Sequence, residues 1–416
     1  MSALKSLIQK YCPYFFKRFL YSQLNSWRQK KRLSSHIQQK EIITVAFQVL
    51  DLSCWKCDSV FHLMMQHPRF RPVIWIIPEK QIFDKEETQR ILAIMKKYFS
   101  SKGYTVAEYY TIDEINKEYS PDIIFLAKGP SGVTPWNAHT LKDKLVCYVP
   151  YCYQNTRRQD FNFGQECQVW RNFYATKNIK KIASRVMLNG GLNISVVGSP
   201  VADNYLFAES SEEVHVWRNC GKEKKRIIWA PHWSVGSVSW FNVSTFDNIA
   251  EGMLELIRKF ADKVQWAFKP HPLLRDTLYK HPNWGKQRTD AYYSLWETLP
   301  NTQLENGAYV DLFKQSDAMI HDSGSFIMEY LLVNKPCMYL QRTGGFEDFN
   351  DDTIKALECY QKGATIDDVE SFILNLLSNP PDPMAEKRAA YRKKYLTPPD
   401  GQSCAQLIVN ELLNGR

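Results

Sequence analysis

Short, almost uninterrupted apolar runs alternate with amphipathic helical stretches from residue 42 onward, and that rhythm admits few folds. Runs at 42–50, 72–77, 104–107, 123–127 and 145–149 are separated by helix-period segments such as 55–65 and 86–99. A strand that is apolar on both faces has to be covered on both faces, and strands joined through helices pair in parallel. The expectation is a parallel sheet wrapped by helices, with ligands held at the carboxyl ends of its strands.

A helix at 177–188 and a strand ending in Gly198-Ser199-Pro200 close this first series. A charged, polar stretch at 209–226 interrupts the pattern and places a domain boundary near residue 220. A second series then runs through 226–230, 246–260, 264–268, 302–304, 308–313, 318–320, 326–332 and 337–340. The fold class read from this is α/β: two doubly wound, Rossmann-like domains, 41–220 and 221–416, whose strand ends face a cleft. The last helix is free to cross back to the first domain. The chain has 416 residues, of which 44% are hydrophobic, so there is ample core for two such domains.

Residues 1–40 follow other rules. They hold nine basic residues and no acid, whereas Lys plus Arg (53) and Asp plus Glu (44) balance over the remainder once those nine are removed. The cations are mixed with Leu, Ile, Tyr, Phe and Trp, the composition of a basic amphipathic helix lying on an anionic membrane surface. A nucleic-acid arm would carry fewer large aliphatics, and the body has no basic excess, so no nucleic acid is expected as partner. No apolar run approaches the length of a spanning helix. The ten Cys are scattered through apolar runs, which fits a reducing compartment. Cys54-Trp55-Lys56-Cys57 is a lone C-x-x-C without further zinc ligands, and helix packing explains it better than redox chemistry or metal.

Chemistry concentrates at the strand ends of the second series. Pro231-His232-Trp233-Ser234, Lys269-Pro270-His271-Pro272 and His321-Asp322-Ser323-Gly324-Ser325 each follow a strand. Together they bring imidazoles that can be charged on demand, a lysine, hydroxyls and a small-residue turn to one rim, a set suited to a nucleotide diphosphate. Glu329, two turns after Asp322, faces the same crevice and could bind ribose hydroxyls. In the first series, Asp51, Lys128-Gly129-Pro130-Ser131-Gly132 and residues 151–158, with Tyr151, Arg157 and Arg158, stand where an acceptor would be met.

The segment 316–330, closing with Lys335-Pro336-Cys337-Met338-Tyr339, resembles the C-terminal signature of the CDP-glycerol glycerophosphotransferases: S-D, then D-Y-S-S, an acidic residue with Tyr, K-P and a closing Tyr. Lys269-Pro270-His271-Pro272 resembles the family's K-x-H-P element, and Ala230-Pro231-His232-Trp233 its A-P-T-W element. The likeness covers roughly residues 225 to 345. It implies a metal-independent GT-B fold, with no cofactor and CDP-glycerol as donor. The implied acceptor is a hydroxyl of a teichoic-acid or capsule-type polysaccharide, or a lipid-linked acceptor, at the cytoplasmic face of the cell membrane. Carried over by position, His271 would contact the pyrophosphate, Ser323, Gly324 and Ser325, beside Asp322 and Lys269, would hold phosphate, and Glu329 would bind glycerol or ribose hydroxyls.

Two departures bear on the substrate. The family's arginine after A-P-T-W is Ser234 here and its threonine is His232, so the missing pyrophosphate cation is expected at His232 or Arg275. The H-G-T-P-x-K element that carries the family's base is absent, with Tyr148-Val149-Pro150-Tyr151 about where it would stand. Asp322-Ser323-Gly324-Ser325 with Glu329, and Arg342-Thr343-Gly344-Gly345-Phe346-Glu347, also resemble elements of UDP-N-acetylglucosamine 2-epimerases. The alternatives are therefore a UDP-sugar enzyme, epimerase or glycosyltransferase, or a non-catalytic polysaccharide-assembly protein.

Overall fold

A computed structural model describes residues 32, 35–36, 39–77, 85–108, 117–126, 141, 144–157, 166–187, 189–207, 215–236 and 241–414. The strands are β1 (Ile43–Val49), β2 (Phe70–Ile76), β3 (Val106–Glu108), β4 (Ile123–Leu126), β5 (Leu145–Tyr148), β6 (Arg171–Tyr174), β7 (Ile194–Val196), β8 (Lys225–Ala230), β9 (Val264–Phe268), β10 (Thr302–Leu304), β11 (Ala318–His321), β12 (Cys337–Leu340) and β13 (Gln361–Gly363). The helices that matter below are α1 (Asp58–Gln66), α2 (Lys177–Val186), α3 (Pro200–Leu206), α4 (Phe246–Lys259), α5 (Leu274–Lys280), α6 (Gly285–Thr298), α7 (Phe326–Glu329), α8 (Ile366–Leu377) and α9 (Cys404–Asn414).

The strands form two wholly parallel sheets, ordered β3-β2-β1-β4-β5-β6-β7 and β10-β9-β8-β11-β12-β13. Each order reverses direction once, between β1 and β4 and between β8 and β11, which is the doubly wound arrangement expected from the alternation. β1 shows why. Ile43, Val45, Phe47 and Val49 point to one face, against Val60, Phe61 and Met64 of α1 and Ile408, Val409 and Leu412 of α9. Ala46 points to the other face, with Ile124, Val146 and Ile179 of α2. In the second sheet, Trp229 and Phe268 pack against Phe246 of α4 and Trp296 of α6, with Phe268 and Trp296 stacked at 4.6 Å. α4 buries Phe246, Ile249, Ala250, Met253, Leu254 and Ile257, one helical stripe, and carries Asp247 in its first turn and Arg258 and Lys259 in its last, complementing its dipole.

The chain divides into residues Met1–Asp203 with Pro398–Arg416, and Asn204–Thr397. The polar stretch at 209–226 thus lies inside the second unit rather than at its border, and the last helix belongs to the first unit. The physical cause is Asp203. Its carboxylate accepts from the backbone N–H groups of Cys404 and Ala405 at 2.8 and 2.9 Å, and from the Ser59 hydroxyl at 2.9 Å. It acts as an N-cap for α9, supplied from 201 residues away, while Gly198, at φ +85°, lets the chain run against Pro398.

β6 and β13 were not evident from sequence. β6 carries Arg171 and Asn172, yet Asn172 is buried because its amide donates to the Glu166 carbonyl and Arg171 pairs with Glu411 of α9. Among the described residues, no helix is long and apolar enough to cross a membrane. Most of the basic leader lies outside the described residues, as do Arg158 and the 128–132 loop.

Asp203→Ala removes a buried cap and should cost about 2 kcal/mol. Denaturant unfolding should show that loss, and limited proteolysis should cut first near residues 398–403; an unchanged midpoint would show that α9 is held by its apolar face alone.

Candidate functional site

In the second unit the three motif-bearing strands are neighbours, in the order β9-β8-β11. Backbone pairing continues past the strands and brings their loops together: the Lys269 N–H donates to the Trp229 carbonyl at 2.8 Å and the His271 N–H to the Pro231 carbonyl at 3.0 Å. The His232 and His271 rings come to lie 5.1 Å apart, edge to face. The convergence expected from the sequence is present.

Asp322 ties the third loop in. Its Oδ1 accepts from the His232 N–H at 2.5 Å, and its Oδ2 from the Thr245 N–H at 2.6 Å, the Thr245 hydroxyl at 3.0 Å and the Ser244 hydroxyl at 3.3 Å. Both oxygens are spent within the fold, so Asp322 builds the site from behind. Burial pushes its pKa up to about 6, against the lowering effect of those bonds.

The two imidazoles are neutral donors. His232 Nδ1 lies 2.8 Å from the Ser234 hydroxyl and accepts from the Ser234 N–H at 3.3 Å; that hydroxyl itself accepts from the Val243 N–H. His271 Nδ1 accepts from the Leu273 N–H at 3.1 Å. In each ring the proton therefore sits on Nε2, which has no hydrogen-bond partner among the described residues. Burial, and then the neighbouring His271, holds His232 well below the usual imidazole range, while burial and then the Lys269 ammonium push His271 down to about 3. Lys269 is itself buried, and its ammonium donates to the Gly307 carbonyl at 3.0 Å, above the Tyr309 ring.

Ser323 is buried and Ser325 partly exposed, and neither hydroxyl has a partner among the described residues. Gly324 between them opens the short helix α7. Glu329 is buried and accepts from the Tyr309 hydroxyl, which joins it to the Lys269 side of the rim. Arg275 pairs with Asp290 at 2.7 Å, with its guanidinium over Tyr293. Tyr151 and Arg157 follow β5 in the first unit, both exposed.

Sequence reading missed Ser244, Thr245 and Tyr309, because each acts through a partner 20 to 78 residues away and none sits in a motif. It also missed that Arg342 is held by Asp247 and by the Ser244 carbonyl, both at 2.6 Å, which steadies the segment that Asp322 grips. No group of three or more metal-ligating side chains occurs among the described residues. Cys54 and Cys57 are buried and not joined in a disulfide, and burial, with Asp58 adding, pushes the Cys57 thiol up to about 12.

The family model for CDP-glycerol:poly(glycerophosphate) glycerophosphotransferases matches residues 33–414. No curated protein matches in a sequence search. Among solved structures, the wall teichoic acid polymerase TagF, in a variant soaked with CDPG, aligns with a TM-score of 0.60 at 12% identity, covering 96% of this chain and 98% of that one. The S. aureus MnaA complex with UDP aligns with a TM-score of 0.55 at 13% identity, over 89% and 96% of the two chains. The UDP-GlcNAc 2-epimerase from Neisseria meningitidis bound to UDP-GlcNAc gives 0.53 at 14% identity, over 89% and 99%. These likenesses show the fold.

The buried histidines set a pH dependence. His232, His271 and His321 have folded-state pKa values below their unfolded value of 6.5, so the unfolded chain binds more protons and stability falls as pH drops through that value. Asp322 acts oppositely, since its folded pKa of about 6 exceeds the unfolded 3.8 and favours the native state as pH falls from 6 to 4. Denaturant midpoints should decline from pH 7.5 to pH 5, the slope being reduced by Asp322 and by Asp203 and Glu305, whose pKa values burial also raises. A flat profile over that range would contradict the neutral assignments.

Proposed function

The chain belongs to the CDP-glycerol:poly(glycerophosphate) glycerophosphotransferase family, and from that premise we propose that it moves glycerol phosphate from CDP-glycerol to a hydroxyl of a cell-surface polysaccharide or lipid-linked acceptor, releasing CMP. The observation that carries this reading is the placement of two neutral Nε2–H donors, and of the Ser323 and Ser325 hydroxyls, on the loops that follow three adjacent strands.

The acceptor hydroxyl, deprotonated by a general base, attacks the β-phosphorus; the bond from that phosphorus to the bridging oxygen breaks and its electrons leave with CMP. Negative charge grows on the phosphoryl oxygens and the leaving group. His232 and His271 each offer a fixed N–H to those oxygens without a full charge whose burial would be costly. The Ser323–Ser325 turn holds the pyrophosphate, and Glu329 takes ribose or glycerol hydroxyls once Tyr309 gives way. Lys269 supplies positive charge from a position fixed by carbonyls. Asp322 keeps the loops in register. Arg275 has no part in this assignment, and the acceptor is met by the first unit near Tyr151, Arg157 and Arg158. Transfer needs no metal, as the resemblance implies, so EDTA should leave the rate unchanged.

A UDP-sugar enzyme is the second reading, favoured by the epimerase-like run Arg342–Glu347 beside the same rim. Thermal stabilisation by CMP, CDP, CDP-glycerol, UDP and UDP-N-acetylglucosamine separates them, because a ligand at 100 times its Kd adds about 2.7 kcal/mol. Selective shifts with the cytidine ligands are expected; shifts confined to uridine ligands would make the second reading the leading one. Binding of CDP-glycerol without any CMP release, given an acceptor preparation, would mark a non-catalytic assembly protein.

His271→Ala should keep the fold and slow CMP release by about 10²-fold or more; near-normal turnover would remove His271 from the reaction. Residues 1–40 are assigned to the anionic inner face of the cell membrane. The full chain should co-sediment with vesicles containing phosphatidylglycerol, less so at high salt, and not with purely zwitterionic ones; equal binding to both would refute an electrostatic anchor.

A further inference from the structure

We propose that His321 is a positioning residue: by donating from Nδ1 to the Ser323 carbonyl, it fixes the peptide joining Ser323 to Gly324 and so the phosphate-holding face of the Ser323–Ser325 turn. The inference rests on the donor-site reading above and extends it to a residue that touches no ligand.

His321 ends β11, in register with Ala230 of β8 and Tyr339 of β12, and is wholly buried. Its ring stands edge-on to Tyr339 and Tyr360, each at 78°. Nδ1 lies 3.1 Å from the Ser323 carbonyl oxygen. A carbonyl only accepts, so Nδ1 carries the proton and Nε2 is bare. Nε2 is buried with no partner among the described residues, a standing penalty that an apolar side chain would avoid. What the histidine provides in exchange is the Nδ1–H. No described peptide is cis, and in a trans peptide the carbonyl and the following N–H point in opposite directions. Drawing the Ser323 carbonyl inward against His321 therefore turns the Gly324 N–H away from the core. Burial keeps His321 neutral, with its pKa pushed down to about 3, so the donor is present at any working pH.

The test is calorimetric titration of the full chain with CDP and with cytidine, for the wild type, His321→Phe and His321→Asn. Phenylalanine keeps the ring volume and removes the donor. Asparagine places an amide N–H near the Nδ1 position and removes the unpartnered Nε2. The phenylalanine variant should bind CDP about tenfold more weakly, with cytidine affinity unchanged and the asparagine variant within about threefold of wild type. His321→Leu, a second donor-less variant, replaces the phenylalanine one if melting shows that it has not folded. Wild-type CDP affinity in a folded donor-less variant, or equal losses for CDP and cytidine, would overturn the positioning role alone. A wild-type protein that binds neither CDP nor UDP would overturn the donor-site reading and the inference with it.

Discussion

The Asp322 carboxylate at the end of β11 is the joint on which the strand-end loops of the second unit depend. Four donors from His232, Ser244 and Thr245 converge on its two oxygens, from positions 77 to 90 residues away in the chain. A carboxylate is the side chain suited to this, because it offers only acceptors on both oxygens, whereas an amide would present a donor where Thr245 or His232 needs an acceptor. The balance is a close one. Burial disfavours the charge and the converging bonds favour it, and the outcome is a group held near pH 6 rather than deep in the carboxylate range. Removing the carboxylate would release the β8 loop and the start of α4 together, and with them the placement of His232.

Around that joint, the rim presents mainly dipoles. His232 and His271 are kept neutral by burial, and each has its Nδ1 occupied by its own loop, which leaves Nε2–H as the donor. Lys269 is tethered to the carbonyls of Gly307 and Glu305, so its charge is fixed in place before any ligand arrives. Fixed donors need little reorganisation as charge develops during phosphoryl transfer, which is where a preorganised site gains its rate. The same economy recurs behind the rim, where His321 sets one peptide plane and Arg342, paired with Asp247, braces the segment gripped by Asp322.

The first unit is closed by a comparable device. Asp203 caps a helix that the chain reaches only after completing the whole second unit, and α9 then seals one face of the first sheet with Ile408, Val409 and Leu412. Without that return, Phe47 and Val49 of β1 would lack part of their cover. The two sheets therefore solve the same problem, apolar on both faces, by different connectivity.

The alternation of apolar runs with helical periods was enough to determine two doubly wound parallel sheets, because strands buried on both faces admit little else. The strand-end motifs His232, Lys269, His271 and Ser323–Ser325 were legible for the same reason: a parallel sheet delivers the loops at its strands' carboxyl ends to one edge. The features beyond the reach of sequence depend on partners distant in the chain. β6 reads as polar until Asn172 finds the Glu166 carbonyl and Arg171 finds Glu411. Arg275 reads as a spare cation until Asp290 claims it. Asp322 reads as a ligand to the donor until Thr245 and Ser244 fill its oxygens. Periodicity reports which face of an element is buried, and that is local information; which polar group satisfies which is settled only when tertiary packing brings the elements together.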